Sequence, residues 1–294
     1  MNSKTIYYTV FVRLFLFLSF ILVFMKKNWL LFPALMLIAC NCFTQKNNGA
    51  LVFSIGPSLP IGDYSSTDIM NSSAGLAKAG EIVSFSFYSK RKKQFGFTAA
   101  IQAQRNPLNT KELENDFSQA QFGQSFVFAS NGSTPPPPPS YTKYPNWKFD
   151  KHAWFTASLL VGCYAEFVSH NPSLSFITKL MIGGVYASSP KVNGSSITDT
   201  ATARYQQNSR SGFGFTYLLS GGIKCHLSKK LSLFGDLEYA ATNDIKFKDL
   251  KTSFFSTHGS PGSPNYSSAY ATRTTDGEQI IANINLRIGI GLHL

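Results

Sequence analysis

Few side chains in this 294-residue chain stand at spacings that support catalysis. His226 and Ser228, separated by Leu227, could pair as base and nucleophile. His258, Ser260 and Asp276 could supply an acyl-transfer triad, in which a histidine takes the serine proton and a carboxylate orients the ring. Nothing in Gly259–Pro264 suggests rigid support for that triad, and turn chemistry is the plainer role for His226-Leu227-Ser228. His152, His170 and His293 read as interfacial or turn residues. The chain has no HExxH, no EF-hand loop and no Gly-rich phosphate loop after a strand, and Gly212-Phe213-Gly214 is strand glycine. Of the 4 cysteines, Cys40 and Cys42 belong to the apolar leader described below. Cys163 and Cys225 form neither a CxxC pair nor a Cys/His cluster. These observations assign no catalytic, cofactor-binding or metal-ligating residue, and the chain reads as a non-enzyme.

The charge pattern excludes another class. The formal charge is +12, a value that invites a nucleic-acid reading. The basic residues are scattered, however, and the only runs are Lys90-Arg91-Lys92-Lys93 and Lys229-Lys230. No helix-length basic face appears, so no nucleic-acid partner is expected. Lys90–Lys93 could touch anionic headgroups, but a solvated turn is the simpler account.

The elements that carry these residues come from the hydropathy pattern. Only 14% of residues are charged, about half the usual share, and apolar residues alternate with Gly, Ser, Thr and Asn. The last segment is the clearest. Ile280, Ala282, Ile284, Leu286, Ile288, Ile290, Leu292 and Leu294 share one face, while Asn283, Asn285, Arg287, Gly289, Gly291 and His293 lie on the other. That period of two marks a strand. Seven further segments behave alike, at 50–60, 76–89, 95–106, 153–169, 174–187, 212–227 and 231–242. Cys163 and Cys225 fall on strands that are not neighbours, which argues against a disulfide.

Eight strands, alternately joined by short turns and by long segments (61–75, 107–152, 188–211, 243–276), predict an all-β fold. The expected architecture is an eight-stranded antiparallel up-and-down transmembrane barrel with long loops outside and both chain ends on the short-turn side. The long segments read as Ser/Thr/Asn/Gly-rich loops, with Pro135–Pro139 a stiff polyproline spacer. The less apolar face decides between membrane and water. Facing water it would be rich in Lys, Glu and Asp, yet it carries Ser54, Gly56, Ser84, Gly96, Thr98, Gly162, Gly183, Thr216, Gly222 and Gly289. Small side chains suit the crowded lumen of a narrow barrel. The few charges there, Lys179, Lys224 and Arg287 against Glu166, Asp236 and Glu238, are expected to pair across the lumen and plug it, since buried charges need partners. The apolar face, heavy in Phe and Tyr near strand ends, fits lipid with aromatic girdles.

Ahead of the barrel lie two apolar stretches, 6–24 and 29–39. Met25-Lys26-Lys27 followed by the second has the pattern of a secretory signal, which makes 1–24 a spurious extension and 1–45 the leader. The barrel domain then covers 46–294. Leu37-Ile38-Ala39-Cys40 also resembles a lipobox, in which Cys40 would be lipidated.

The phrase Ser54-Ile55-Gly56-Pro57-Ser58-Leu59-Pro60-Ile61-Gly62-Asp63-Tyr64, the later Ala74-Gly75-Leu76-Ala77, and Gly221-Gly222-Ile223-Lys224 with Leu231–Tyr239 resemble the small porin-family outer-membrane barrels of Bacteroidetes. The resemblance covers about 49–294. It implies the outer membrane of a Gram-negative cell, contact with its lipid, and an unidentified extracellular or envelope partner reached through the loops. Terminal Leu294 departs from it, because many such barrels end in Phe. The His226-x-Ser228 spacing resembles that of a lipid A deacylase of this architecture, but lies at a short turn, on the wrong side for outer-leaflet lipid. A narrow passive pore, a lipid-modifying enzyme and a lipid-anchored soluble barrel are the rival readings.

Overall fold

A computed structural model describes residues 49–68, 71, 73–90, 94–119, 144–170, 173–199, 201–258 and 267–294. The leader, Met25, Cys40, Pro135–Pro139, Arg91–Lys93 and Ser260 lie outside them. Eight strands close into a barrel: β1 (Gly49–Pro60), β2 (Gly80–Lys90), β3 (Phe95–Pro107), β5 (Ala153–Val168), β6 (Leu174–Ser188), β9 (Ser211–His226), β10 (Leu231–Thr242) and β13 (Ala282–His293). Each pairs antiparallel with the barrel strand before and after it in the chain, and β1 pairs with β13 to complete the ring. All eight predicted segments are present. The second begins at Gly80 rather than residue 76, because Ala77 makes only an isolated bridge with Leu108. Closure leaves the barrel no edge strand, so every strand finds hydrogen bonds on both sides.

The alternation has the predicted facing. Leu286 and Ile288 are 54% and 64% exposed on the outside, while Asn285 and Arg287 are 0% and 3% exposed inside. Ala50 lies opposite His293, and the Leu294 amide donates to the Gly49 carbonyl at 2.9 Å, so both barrel ends meet at the short-turn side. Cys163 on β5 and Cys225 on β9 are separated by β6 and are free thiols. Small and large residues interlock within the lumen. A Cβ at Gly291 would stand 2.3 Å from the Phe234 ring, and one at Gly96 would stand 2.4 Å from the Tyr164 ring. Both rings can turn inward only because glycine faces them.

The long segments differ from the loop reading. Parts of three of them fold together into a second, five-stranded antiparallel sheet. β4 (Lys148–Phe149) comes from the segment after β3, β7 (Val192–Ile197) and β8 (Ala201–Gln207) from that after β6, and β11 (Ile245–His258) and β12 (Ser267–Gln279) from that after β10. Their order across the sheet is β12-β11-β8-β7-β4. A helix, α1 (Thr110–Gln119), packs Leu113 and Phe117 into the same apolar cluster as Trp147, Phe149, Val192, Ala203 and Phe254. Phe117 stands edge-on to Trp147, Phe149 and Tyr205 at centroid distances of 5.1, 5.0 and 5.1 Å.

Candidate functional site

Three layers fill the lumen. At the long-segment end lies an apolar lid of Tyr64, Trp154, Ile245, Phe247 and Ile281. Trp154 donates its indole N–H to the Gly75 carbonyl at 2.7 Å, and its ring stands edge-on to Tyr64 at 5.6 Å. Gly75 permits that approach, since a Cβ there would lie 2.5 Å from the Tyr64 carbonyl oxygen. Burial also pushes the Tyr64 phenol far above its ordinary pKa.

Beneath it sits a charge network. Arg287 on β13 donates to both Asp236 oxygens, at 2.9 and 3.1 Å, and reaches Glu238 at 2.5 Å. Asp236 also pairs with Lys179 of β6, whose ammonium donates to the Tyr88 hydroxyl at 3.2 Å. Glu238 accepts from Asn285 at 2.9 Å and from Gln102 at 3.1 and 3.2 Å. Gln102 lies on β3, diametrically opposite β10 in the ring, so this contact spans the lumen. Two cations and two carboxylates cancel, as a dry interior requires. The remaining two lumen charges, Lys224 and Glu166, pair with each other at 3.0 Å nearer the short-turn end.

That end holds a cavity of about 200 Å³, lined by Tyr164, Glu166, Ser175, Ile177, Lys224, His226, Phe234 and His293 among others. His226 does not pair with Ser228. The Ser228 hydroxyl instead caps the turn, accepting from the Lys230 and Leu231 amides at 3.3 and 3.1 Å. The His226 ring stacks on His293 at 5.5 Å, and Ser232 Oγ lies 3.1 Å from His226 Nδ1 and 2.7 Å from His293 Nε2. The alternation of the last strand places His293 on the lumen face; its partner Ser232 lies on the adjoining β10 and is itself directly opposed to His226 across the β9–β10 hairpin. His258 pairs across the sheet with Ser267. Asp276 is nine residues further along β12, about 30 Å away at ~3.3 Å per residue. It accepts from the Asp249 amide at 3.1 Å instead, so that triad does not assemble.

Outside the barrel, the second sheet has two unlike faces. Directly opposed residues share a face. Phe254, Tyr205, Gly194 and Phe149 form a row over the apolar cluster, and burial there pushes the Tyr205 phenol up to about 12. The next row, Tyr270, Phe255, Arg204, Ser195 and Lys148, crosses all five strands on the other face. Hydrogen bonds with Thr272 and Ser253, together with nearby Lys251, hold the Tyr270 phenol below its ordinary value. An ordered sheet with exposed aromatic, hydroxyl and cationic groups can bind.

The barrel's outer wall cannot do so in water. Leu180, Ile182, Leu219, Leu237, Leu286 and Ile288 form a bare aliphatic belt. Phe95, Phe97, Phe167 and Phe176 flank it toward the short-turn end, and Phe155, Phe213, Phe215 and Tyr239 flank it toward the other. A contiguous apolar wall of this extent marks a membrane-facing surface. No helix among the described residues is long and apolar enough to cross a membrane.

No protein-family model and no curated protein matches the chain. Among solved structures it is similar to Neisserial surface protein A, at 6% identity over 84% of this chain and 97% of that one, with a TM-score of 0.37. It is also similar to a major outer membrane protein from Thermus thermophilus, at 10% identity over 84% and 99%, TM-score 0.38. The outer membrane protein OprG from Pseudomonas aeruginosa follows at 8% identity over 84% and 97%, TM-score 0.35.

Proposed function

We propose that the chain is an outer-membrane barrel of a Gram-negative cell that works through its outer sheet, with a lumen that conducts nothing. The observation that carries this reading is the Lys179–Asp236–Arg287–Glu238 network with Gln102 reaching across to it. A pore would have to break it and leave charges unpaired. The role is one of surface interaction rather than catalysis. The histidines and serine that meet in the lumen, His226, His293 and Ser232, lie at the short-turn end, and the exposed row on the second sheet is a binding surface with no nucleophile–base pair among its described residues. The segments 54–64 and 221–239 support kinship with the Bacteroidetes porin-family barrels. On this reading residues 1–45 are a leader removed on export, 1–24 precede the true start, and the mature chain begins near residue 46, with lipid at the outer wall and an envelope or extracellular partner at the sheet.

Planar-bilayer recording of the purified barrel tests the plug. Little or no stable conductance is expected; large steady channels would overturn it. Mass spectrometry of membrane-extracted protein tests the leader, and a diacyl or triacyl mass at Cys40 would establish the lipoprotein reading instead.

A further inference from the structure

We propose that the cavity at the short-turn end of the lumen is a binding pocket for a small aromatic carboxylate. An ammonium has three donors, and Lys224 gives one of its three to Glu166 Oε1 at 3.0 Å. Ser175 lies directly across from Lys224 in the β6–β9 register. It is 0% exposed, and its hydroxyl has no hydrogen-bond partner. Buried hydroxyls are nearly always satisfied, so an orphan beside a cation with spare donors marks a place for an acceptor. Two donor groups side by side, one of them charged, fit the two oxygens of a carboxylate. The single acid of the lining, Glu166, is already bonded to Lys224, so it does not stand alone against an incoming anion.

The walls set the rest of the ligand. Tyr88 stacks on Phe234 at 5.8 Å and stands edge-on to Tyr164 at 5.1 Å, which gives the pocket an aromatic side. A ring entering there would meet rings already arranged in the offset and edge-on geometries that aromatic groups favour. A volume of about 200 Å³ admits one ring and its carboxylate and little more. The charge network closes the lumen beyond, so the pocket is blind and is reached from the short-turn side. Its occupancy is independent of what the outer sheet binds.

Calorimetric titration of the folded, detergent-solubilised protein with benzoate tests it, with benzyl alcohol as the neutral isostere and inorganic phosphate as a ring-free anion. Benzoate should bind one to one, with a Kd on the order of 1 mM or tighter for so small a ligand. Benzyl alcohol and phosphate should each bind at least about tenfold more weakly. Ser175→Val should weaken benzoate about tenfold while leaving the heat-modifiable migration of the folded barrel unchanged. Lys224→Met strands Glu166, so the paired variant Lys224→Met/Glu166→Gln serves as the second test and should abolish binding. Absence of saturable benzoate binding by folded wild-type protein would overturn the proposal. Wild-type affinity in Ser175→Val together with the paired variant would do so as well.

Discussion

Replacing Glu238 with alanine probes the layer on which the closed lumen depends. Its carboxylate is 0% exposed and accepts from Arg287, Asn285 and Gln102. Breaking a buried charge pair by removing one partner costs about 3–5 kcal/mol. Arg287 keeps both bonds to Asp236, which argues for the lower end. Against that, Asn285 and Gln102 each lose an acceptor, and a stranded buried donor costs roughly 1–3 kcal/mol. The net expectation is about 4 kcal/mol, a large part of the ~5–15 kcal/mol that holds a typical domain. Urea unfolding in detergent micelles, followed by tryptophan fluorescence, measures it as a fall in midpoint at unchanged slope. The double variant Glu238→Ala/Arg287→Met removes both charges of the pair, so it should recover much of the loss, with a coupling energy of at least about 1 kcal/mol. A loss below about 1 kcal/mol in the single variant, or strict additivity in the double, would refute the network as a source of stability.

Leu286→Arg places a charge on the lipid face, where it costs roughly 2–4 kcal/mol near mid-membrane; folded yield in liposomes should drop sharply, while Asn283→Ser, within the lumen, should be much milder. In folded protein a lipid-soluble reagent should modify cysteine at position 288 and spare position 287; equal labelling of both by a water-soluble reagent would count against a membrane. Excising residues 110–150 removes Leu113, Phe117, Tyr144, Trp147 and Phe149 from the cluster under the outer sheet. Barrel migration on gels should survive, whereas protease should then cut within 192–207 and 245–279, and any partner held by the sheet should be lost from pull-downs on intact cells. Tyr205 has its folded pKa raised to about 12 from an unfolded value near ~10. Its contribution to stability is therefore complete below about pH 10 and falls as pH rises toward 12. Alkaline titration should loosen the outer sheet in that window, and Tyr205→Phe should blunt the effect.

The barrel was legible because each of its strands contrasts two environments. Ile284, Leu286, Ile288 and Ile290 against Asn283, Asn285, Arg287 and Gly289 can be satisfied only by lipid on one side and a packed lumen on the other, and the partners of Arg287 follow from the neighbouring strand. Contacts made by closure were illegible. Gln102 and Glu238 lie 136 residues apart, on strands that meet only across the closed lumen. The outer sheet was hidden for a different reason. Its inner face is built from Ala201, Ala203, Gly194 and Ser196 as much as from Phe149 and Phe254, so its strands show no strong apolar period and read as polar loop.

That weakness of pattern follows from how the sheet is made. A Cβ at Gly194 would lie 2.2 Å from the Phe149 ring, so the bulky residue of one strand lies over the glycine of the next, and neither strand alone looks half-buried. β11 adds a register shift between Phe247 and Leu250, where Asp249 takes φ 56°; the shift interrupts the alternation along the strand. The shift also separates two tasks along one hairpin. Before it, Ile245 and Phe247 face inward to seal the lumen; after it, Phe254 covers the cluster of the outer sheet while Phe255 is turned to solvent. Deleting Asp249 would remove the extra residue and leave every later pair of β11, from Leu250↔Thr275 onward, with its partner and its face, whereas deleting Thr252, beyond the shift, would move the later side chains to the opposite face, burying Phe255 and Ser253 and expelling Phe254. In the Thr252 deletion the lid should remain closed while the exposed row on the sheet is lost, and in the Asp249 deletion both should persist, so the pair separates the sealed lumen from the binding surface within a single chain.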